Sequence, residues 1–321
     1  MHSFKELAAQ FETQFARRQF PQQPTRLYDA AQYILQIAGK RVRPVAVLMG
    51  NELFDAIKPD AWQVAAAVEL FHNFSLIHDD IMDKAPLRRG IPTVHMEYDE
   101  NAALLAGDVM LVRAYEYLAH IDSQYLSPIL QLFNRTAREV CEGQQMDMDF
   151  EKRDTVHPDE YEEMIGLKTS VLLAASLQMG AIIGGARGNS QQHLYQFGKK
   201  LGLAFQVQDD YLDCYGDPQK FGKQVGGDIL ANKKTFLMIH TLQVANGTQH
   251  TALQALLAGN DADKVQQVLQ LYKACHADEW AQQLKEKYFA EAMHHLEEVA
   301  VISSRKEKLK ELAMYLLQRE R

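Results

Sequence analysis

Signals of β structure are nearly missing from this 321-residue chain. Alternating β-branched runs are few and no Asn-Gly turn is flanked by them, which excludes a sheet-based fold. Cysteine is scarce too: Cys141, Cys214 and Cys275 are an odd number without C-x-x-C spacing. That excludes a disulfide framework or a zinc site and points to buried free thiols in a reducing compartment. There is no basic excess, with 34 basic against 42 acidic residues, so the electrostatic footprint of a nucleic-acid binder is lacking. No signal peptide is legible, because Lys5, Glu6 and Glu12 interrupt the apolar pattern of Met1 to Arg18. The most apolar stretch, Val171 to Ala186, carries Ser176, Gln178 and several glycines, and is too short to span a bilayer. It reads as a buried helix of a cytoplasmic protein with no integral membrane segment.

Helical periodicity, by contrast, runs through the whole chain. Apolar content of 47% and charged content of 24% are globular values. Val64, Ala67, Val68, Phe71 and Ser75 fall on one helix face, as do Leu201, Ala204, Phe205 and Gln208 on another. Further helices are expected over about 26–38, 101–120, 125–148, 158–184, 233–245, 262–274, 276–297 and from about 304 onward. Breaks are expected at Pro21, Pro44, Pro59, Pro86, Pro92, Pro128, Pro158 and Pro218, and around Gly247 and Gly259. Neither a composition shift nor an internal repeat divides the chain, so a single all-α domain over residues 1–321 is the simplest account. The segment after Gly247 carries charge but no motif and reads as scaffold or dimer-flanking helices.

Two apolar helices end in the same acidic pattern, Asp79-Asp80-Ile81-Met82-Asp83 and, about 130 residues on, Asp209-Asp210-Tyr211-Leu212-Asp213. Positions i, i+1 and i+4 share roughly a third of a helix circumference, so each triplet is one carboxylate cluster. Pro86 and Gly216-Asp217-Pro218 then stop the helices. The last turn already carries the negative end of the helix dipole, so a cation is expected to offset the repulsion. Oxygen-only ligands suit Mg²⁺, which takes one or two carboxylates and shares substrate phosphates. One such run alone reads as a solvated helix end; two, each followed by basic residues, read as metal-assisted phosphate chemistry. Those bases are Arg88 and Arg89 after the first run, and Lys223 and Lys233 after the second, with Lys40 and Arg43 spaced to converge on one phosphate upstream. Across a helical bundle the two acidic ends would face one another over a cavity.

The combination Gly39-Lys40-Arg41-x-Arg43-Pro44, Ser75-Leu76-Ile77-His78-Asp79-Asp80-x-x-Asp83, Leu87-Arg88-Arg89-Gly90, Leu105-Ala106-Gly107-Asp108, Gly143-Gln144-x-x-Asp147, Lys168-Thr169 and Phe205-Gln206-x-x-Asp209-Asp210-x-x-Asp213 resembles the trans-isoprenyl diphosphate synthases. The resemblance covers roughly residues 38 to 236 in order and spacing. It implies an all-helical bundle around a deep cavity, a homodimer, and Mg²⁺ as cofactor, three ions with a bound allylic diphosphate. It implies that Asp79, Asp80, Asp83, Asp209 and Asp213 hold the metals, and that Lys40, Arg43, His72 and Arg89 bind isopentenyl diphosphate. Arg88, Lys168, Lys223 and Lys233 would grip the allylic diphosphate, while Thr169 and Gln206 turn oxygen dipoles toward the developing cation. Leaving-group charge can be neutralised by metals and lysines without a proton donor, and in the family the departing diphosphate takes the final proton. His78 and His95 are therefore not assigned catalytic roles, and His72 also reads as a satisfied interface histidine. Asp99 stands where the family usually has glycine, which should alter a helix start rather than the reaction.

Helix geometry puts Ser75, Phe74 and Phe71 four, five and eight positions before the first aspartate, on or near the wall of a product tunnel. Phe74 beside a small Ser75 resembles short-chain geranylgeranyl synthases more than farnesyl synthases, although Phe71 also reads as core packing. Longer-chain synthases, class I terpene cyclases, non-catalytic partner subunits and metal-dependent phosphohydrolases are the competing classes. Two complete aspartate runs and the paired bases Lys40 and Arg43 favour a synthase over the cyclase and the non-catalytic subunit.

Overall fold

The computed structural model describes residues 1–37, 39–216, 225–259 and 262–317. The fold is all-α, as expected. The chain forms two compact units, one of Met1–Arg135, Ala175–Tyr195 and Val299–Lys308, the other of Thr136–Ala174, Gln196–Glu298 and Leu309–Arg321.

The first unit holds α1 (Phe4–Phe15), α2 (Thr25–Gln36), α3 (Val42–Glu52), α4 (Pro59–Met82), the two-residue strands β1 (Leu87–Arg88) and β2 (Ile91–Pro92), α5 (Val94–Glu97), α6 (Glu100–Leu118) and the start of α7 (Ser123–Glu151). Helix α4 packs against α3 and α6 and is apolar on most of its circumference; Val64, Ala67, Val68, Leu70 and Phe71 are all buried. Pro59 opens it, in the first-turn position where its missing N–H costs nothing. Asp99 caps α6, its carboxylate accepting from Ala102 N at 2.7 Å, so the departure from glycine does set a helix start. Pro44 and Pro128 are corrections: both lie inside helices rather than at breaks, Pro44 in the first turn of α3, where its missing N–H costs nothing, and Pro128 in the second turn of α7, where one backbone hydrogen bond is given up. The strands form a hairpin whose turn residues, Arg89 (φ 53°) and Gly90 (φ 76°), are both left-handed, as a tight hairpin turn requires.

The second unit holds α8 (Pro158–Ile165), a π-helical turn (Gly166–Ser170), α9 (Val171–Ile183), α10 (Gly188–Tyr215), α11 (Gly227–Leu230), α12 (Phe236–Val244), α13 (Gly247–Ala258), α14 (Lys264–Ala274), α15 (Ala277–Glu297) and α16 (Ser303–Leu317), except that the later residues of α9 and the first residues of α10 and α16 belong to the first unit. Its core joins Tyr161, Leu203, Val207, Phe236, Tyr272 and Tyr288. Because the π turn links α8 to α9 without a break, Pro158–Ile183 is one helical run of 26 residues, longer than the apolar stretch suggested and by length and composition able to cross a membrane. Yet 72% of its most apolar window is buried in the protein, which fits the expected core helix. The three cysteines are free; Cys214 and Cys275 are buried as expected, but Cys141, on α7, is exposed.

Candidate active site

In the first unit, the loop before α3 splits its basic residues between interior and site. Arg41, at φ 51°, turns inward, where it is buried, pairs with Glu69 and Glu12, and donates to Leu35 O at 3.0 Å. Breaking such a buried pair costs about 3–5 kcal/mol, so it anchors the loop. Arg43 is thereby set beside His72, Nη1 to Nε2 at 3.1 Å. A guanidinium only donates, so Nε2 accepts and the ring proton sits on Nδ1. Burial, then the charges of Arg43, Arg88 and Arg89, hold the His72 pKa well below its ordinary value, and the ring is neutral. Burial and Arg89 likewise push Arg43 down to about 10, still fully charged near neutrality. Its Nε is buried with no hydrogen-bond partner among the described residues. Arg89 completes the group: a Cβ on Gly39 would lie 3.0 Å from its Nη1, so the guanidinium rests on the loop backbone next to half-buried Lys40. Like charges gathered around a neutral histidine form a place an anion would relieve.

The first aspartate run closes α4, and its three carboxylates are not equivalent. Asp80 is 3% exposed and held by Arg88 through Nη2 (2.7 Å) and Nε (2.9 Å). Asp79 is half-buried with Arg88 Nη2 at 3.9 Å, and Asp83 is exposed at the helix end. Arg88 is thus committed to the aspartates in this structure. One to two turns earlier, Phe71 is fully buried edge-on to Phe133, and half-buried Phe74 lies between Phe71 (5.6 Å between centroids) and the His78 ring (4.7 Å). Ser75 folds its hydroxyl onto His72 O at 2.8 Å. Gly107 makes room for His78, whose ring would touch a Cβ there at 2.3 Å. His78 packs here, its Nε2 3.1 Å from Leu104 O.

In the second unit a cavity of about 180 Å³ gathers Lys168, Thr169, Gln206, Asp209, Asp213 and Lys233. The π turn supplies the first two; such turns widen a helix and are frequent at functional sites. Its backbone meets α7 at Gly143, where a Cβ would lie 2.3 Å from Lys168 N. One helical turn on, Asp147 receives Lys168 Nζ at 2.6 Å. On α10, Asp210 is buried and accepts from Gln206 Nε2 (2.8 Å), Tyr161 OH (3.1 Å) and Phe236 N (3.3 Å). Even so its pKa is pushed up to about 8, by burial first and then by the charge of Asp228. Asp213 accepts from Asp228 N at 3.0 Å, and Asp228 lies 3.7 Å from Lys233 Nζ. Lys223 lies outside the described residues.

Asp147, Tyr161, Asp228, Lys234 and Thr235 also line the cavity and were given no role by the sequence reading. Asp147 sits in a noticed pattern, whereas Tyr161 carries no local signal because its partner Asp210 is 49 residues away. Among the described residues no three His, Cys, Asp or Glu side chains form a preformed metal cage. Carboxylate oxygens beside ammonium groups nevertheless fit Mg²⁺, which takes few protein ligands and completes its shell from phosphate and water.

Residues 24–275 match the polyprenyl synthetase family. The chain is 38% identical over 298 residues to a short chain isoprenyl diphosphate synthase of Methanothermobacter thermautotrophicus, covering 92% of this chain and 91% of that protein. It superposes on a crystal structure of a geranylgeranyl pyrophosphate synthase with a TM-score of 0.95 and 42% identity, over 99% of each chain. A geranylgeranyl pyrophosphate synthetase from Pyrococcus horikoshii gives a TM-score of 0.92 and 34% identity, over 98% of this chain and 99% of the other. By that match and these identities, the chain belongs to the polyprenyl synthetase family.

Proposed function

We propose that the protein is a prenyltransferase that condenses isopentenyl diphosphate head-to-tail with dimethylallyl, geranyl and farnesyl diphosphates and stops mainly at geranylgeranyl diphosphate. The cavity that joins Lys168, Thr169, Gln206, Asp209, Asp213 and Lys233 carries this reading, because it combines ammonium donors, carboxylates and oriented oxygens in one place. Each aspartate run offers carboxylates to Mg²⁺, which when bound would supply Lewis-acid neutralisation of the departing diphosphate.

Lys168 and Lys233 bind the allylic diphosphate, and Asp147 keeps Lys168 extended and charged. Gln206 spends its amide nitrogen on Asp210, so its carbonyl oxygen is left to stabilise the allylic cation, with the Thr169 hydroxyl beside it. Arg43, Arg89, Lys40 and neutral His72 hold isopentenyl diphosphate, His72 by fixing the Arg43 fork. The departing diphosphate accepts the last proton, so no side-chain base is needed. That second anion group favours a synthase over a terpene cyclase, which needs only one diphosphate grip. The geranylgeranyl names of the two similar structures support the product length, with Phe74 as tunnel floor.

We further assign a cytoplasmic homodimer in which the exposed apolar stripe of α6, Leu104, Leu105, Val112 and Tyr115, meets a second copy. The condensation is tested by incubating the protein and Mg²⁺ with isopentenyl diphosphate and each allylic diphosphate, then sizing the products by chromatography. The C20 product should dominate and Phe74→Ala should lengthen it. No condensation with any starter removes the enzymatic reading; an unchanged distribution in Phe74→Ala removes Phe74 from the floor.

A further inference from the structure

The segment that brings Lys233 and Lys234 to the cavity has little regular structure of its own. Asn232, just after α11, sits in the left-handed region at φ 54°. Its side chain is used in both directions: Nδ2 donates to Leu257 O at 3.1 Å, and Oδ1 accepts from Lys264 Nζ at 2.8 Å. Lys264, 2% exposed in the first turn of α14, also reaches Gly259 O at 3.4 Å. Both its acceptors are neutral oxygens, and burying an ammonium against neutral dipoles is poor for stability compared with an apolar side chain of similar length.

The same turn of α14 closes on the other end of the segment. A Cβ on Gly226 would lie 2.4 Å from Val265 Cγ1, and Gly226 N donates to Asp213 O at 2.7 Å. Between the two ends, Asp228 N donates to Asp213 Oδ2, and Lys233 N donates to Asp228 O at 2.9 Å. Lys264 and Val265 therefore grip both ends of a short segment that lies against the second aspartate run and leads directly into Lys233.

We propose that Asn232 and Lys264 are positioning residues whose part-buried hydrogen bond aims Lys233 and Lys234 at the allylic diphosphate. The role rests on the prenyltransferase reading above. Glycine tolerates a left-handed φ more readily than asparagine, so Asn232→Gly preserves the turn and removes only the side-chain tie. Lys264→Met removes the other half of that tie while filling the same space.

Inorganic diphosphate with Mg²⁺ is titrated calorimetrically into wild type and each variant, and KM is measured for both substrates. Both variants should bind diphosphate about tenfold more weakly and raise the allylic KM by a similar factor, the size expected for losing a charge-assisted hydrogen bond that orders the site. The isopentenyl KM should change by less than about twofold, since its binding group lies in the other unit. Lys264→Gln, which keeps a donor for Asn232, should recover part of the affinity. Variants with a lower melting temperature but unchanged diphosphate affinity overturn the proposal, as does an equal rise in both KM values. If wild type neither binds diphosphate nor condenses the substrates, the prenyltransferase reading itself fails and the positioning role goes with it.

Discussion

His72 shows how a single protonation state can support a cluster of arginines. Its neutral ring accepts from Arg43 and holds the guanidinium without adding charge. The folded pKa lies below the unfolded value near 6.5, so the unfolded chain takes up the proton first as pH falls. The stabilising contribution is therefore complete above about pH 6.5 and is lost below it, at a slope of up to about 1.4 kcal/mol per pH unit. His72→Gln keeps an acceptor for Arg43 and does not titrate. Urea melts at about pH 7, 6 and 5 should show a flatter acid limb in the variant than in wild type; equal slopes would mean that other groups set it. At this scale sequence was a partial guide. The run Lys40-Arg41-x-Arg43 announces an anion site, but which base turns inward depends on the left-handed Arg41 and its buried partner Glu69. Asp79-Asp80 and Asp209-Asp210 look like equal pairs on paper. Burial against Arg88 in one case, and against Tyr161, Gln206 and Phe236 N in the other, makes the second member of each pair different from the first.

Among the elements, the π turn and its contact with α7 decide where two catalytic candidates point. The spacing of Gly143, Asp147, Lys168 and Thr169 was legible as a motif, and the helix over 158–183 was legible from periodicity. The widening at Gly166–Ser170 was not, because α9 is apolar and buried nearly all round, so the phase shift that an inserted residue causes leaves no mark in the pattern. The contact at Gly143 is backbone to backbone, so a methyl group there must push the elements apart. Gly143→Ala should cost about 1–3 kcal/mol of stability as overpacking. It should also lower kcat by about 100-fold, as a displacement near 1 Å does to an aligned group. A near-wild-type kcat, measured with the allylic substrate saturating, would show that Lys168 and Thr169 do not depend on this contact. Pro44 illustrates the opposite error: proline predicts a boundary, yet in the first turn of a helix it is tolerated.

For the whole molecule, the exposed stripe of Leu104, Leu105, Val112 and Tyr115 on α6 is the testable feature. Placing charge in a buried self-complementary patch opposes association, whereas on a free surface it changes little. Sedimentation of Leu105→Asp/Val112→Asp should give a monomer from a dimeric wild type. A wild type that sediments as a monomer, or a variant that remains dimeric, would remove this stripe as the interface. Sequence by itself determined that the protein is all-helical, that it carries two acidic helix ends with attendant bases, and that it is related to the polyprenyl synthetases. Those properties are written in periodicity and in the order of residue types, which survive without coordinates. Only the tertiary structure decided which carboxylate of each run is buried, which arginine is structural, and that Tyr161, Asp228, Asn232 and Lys264 serve the cavity. The reason is physical: burial and hydrogen bonding between residues distant in sequence fix the direction of a side chain, and local pattern contains no record of those partners.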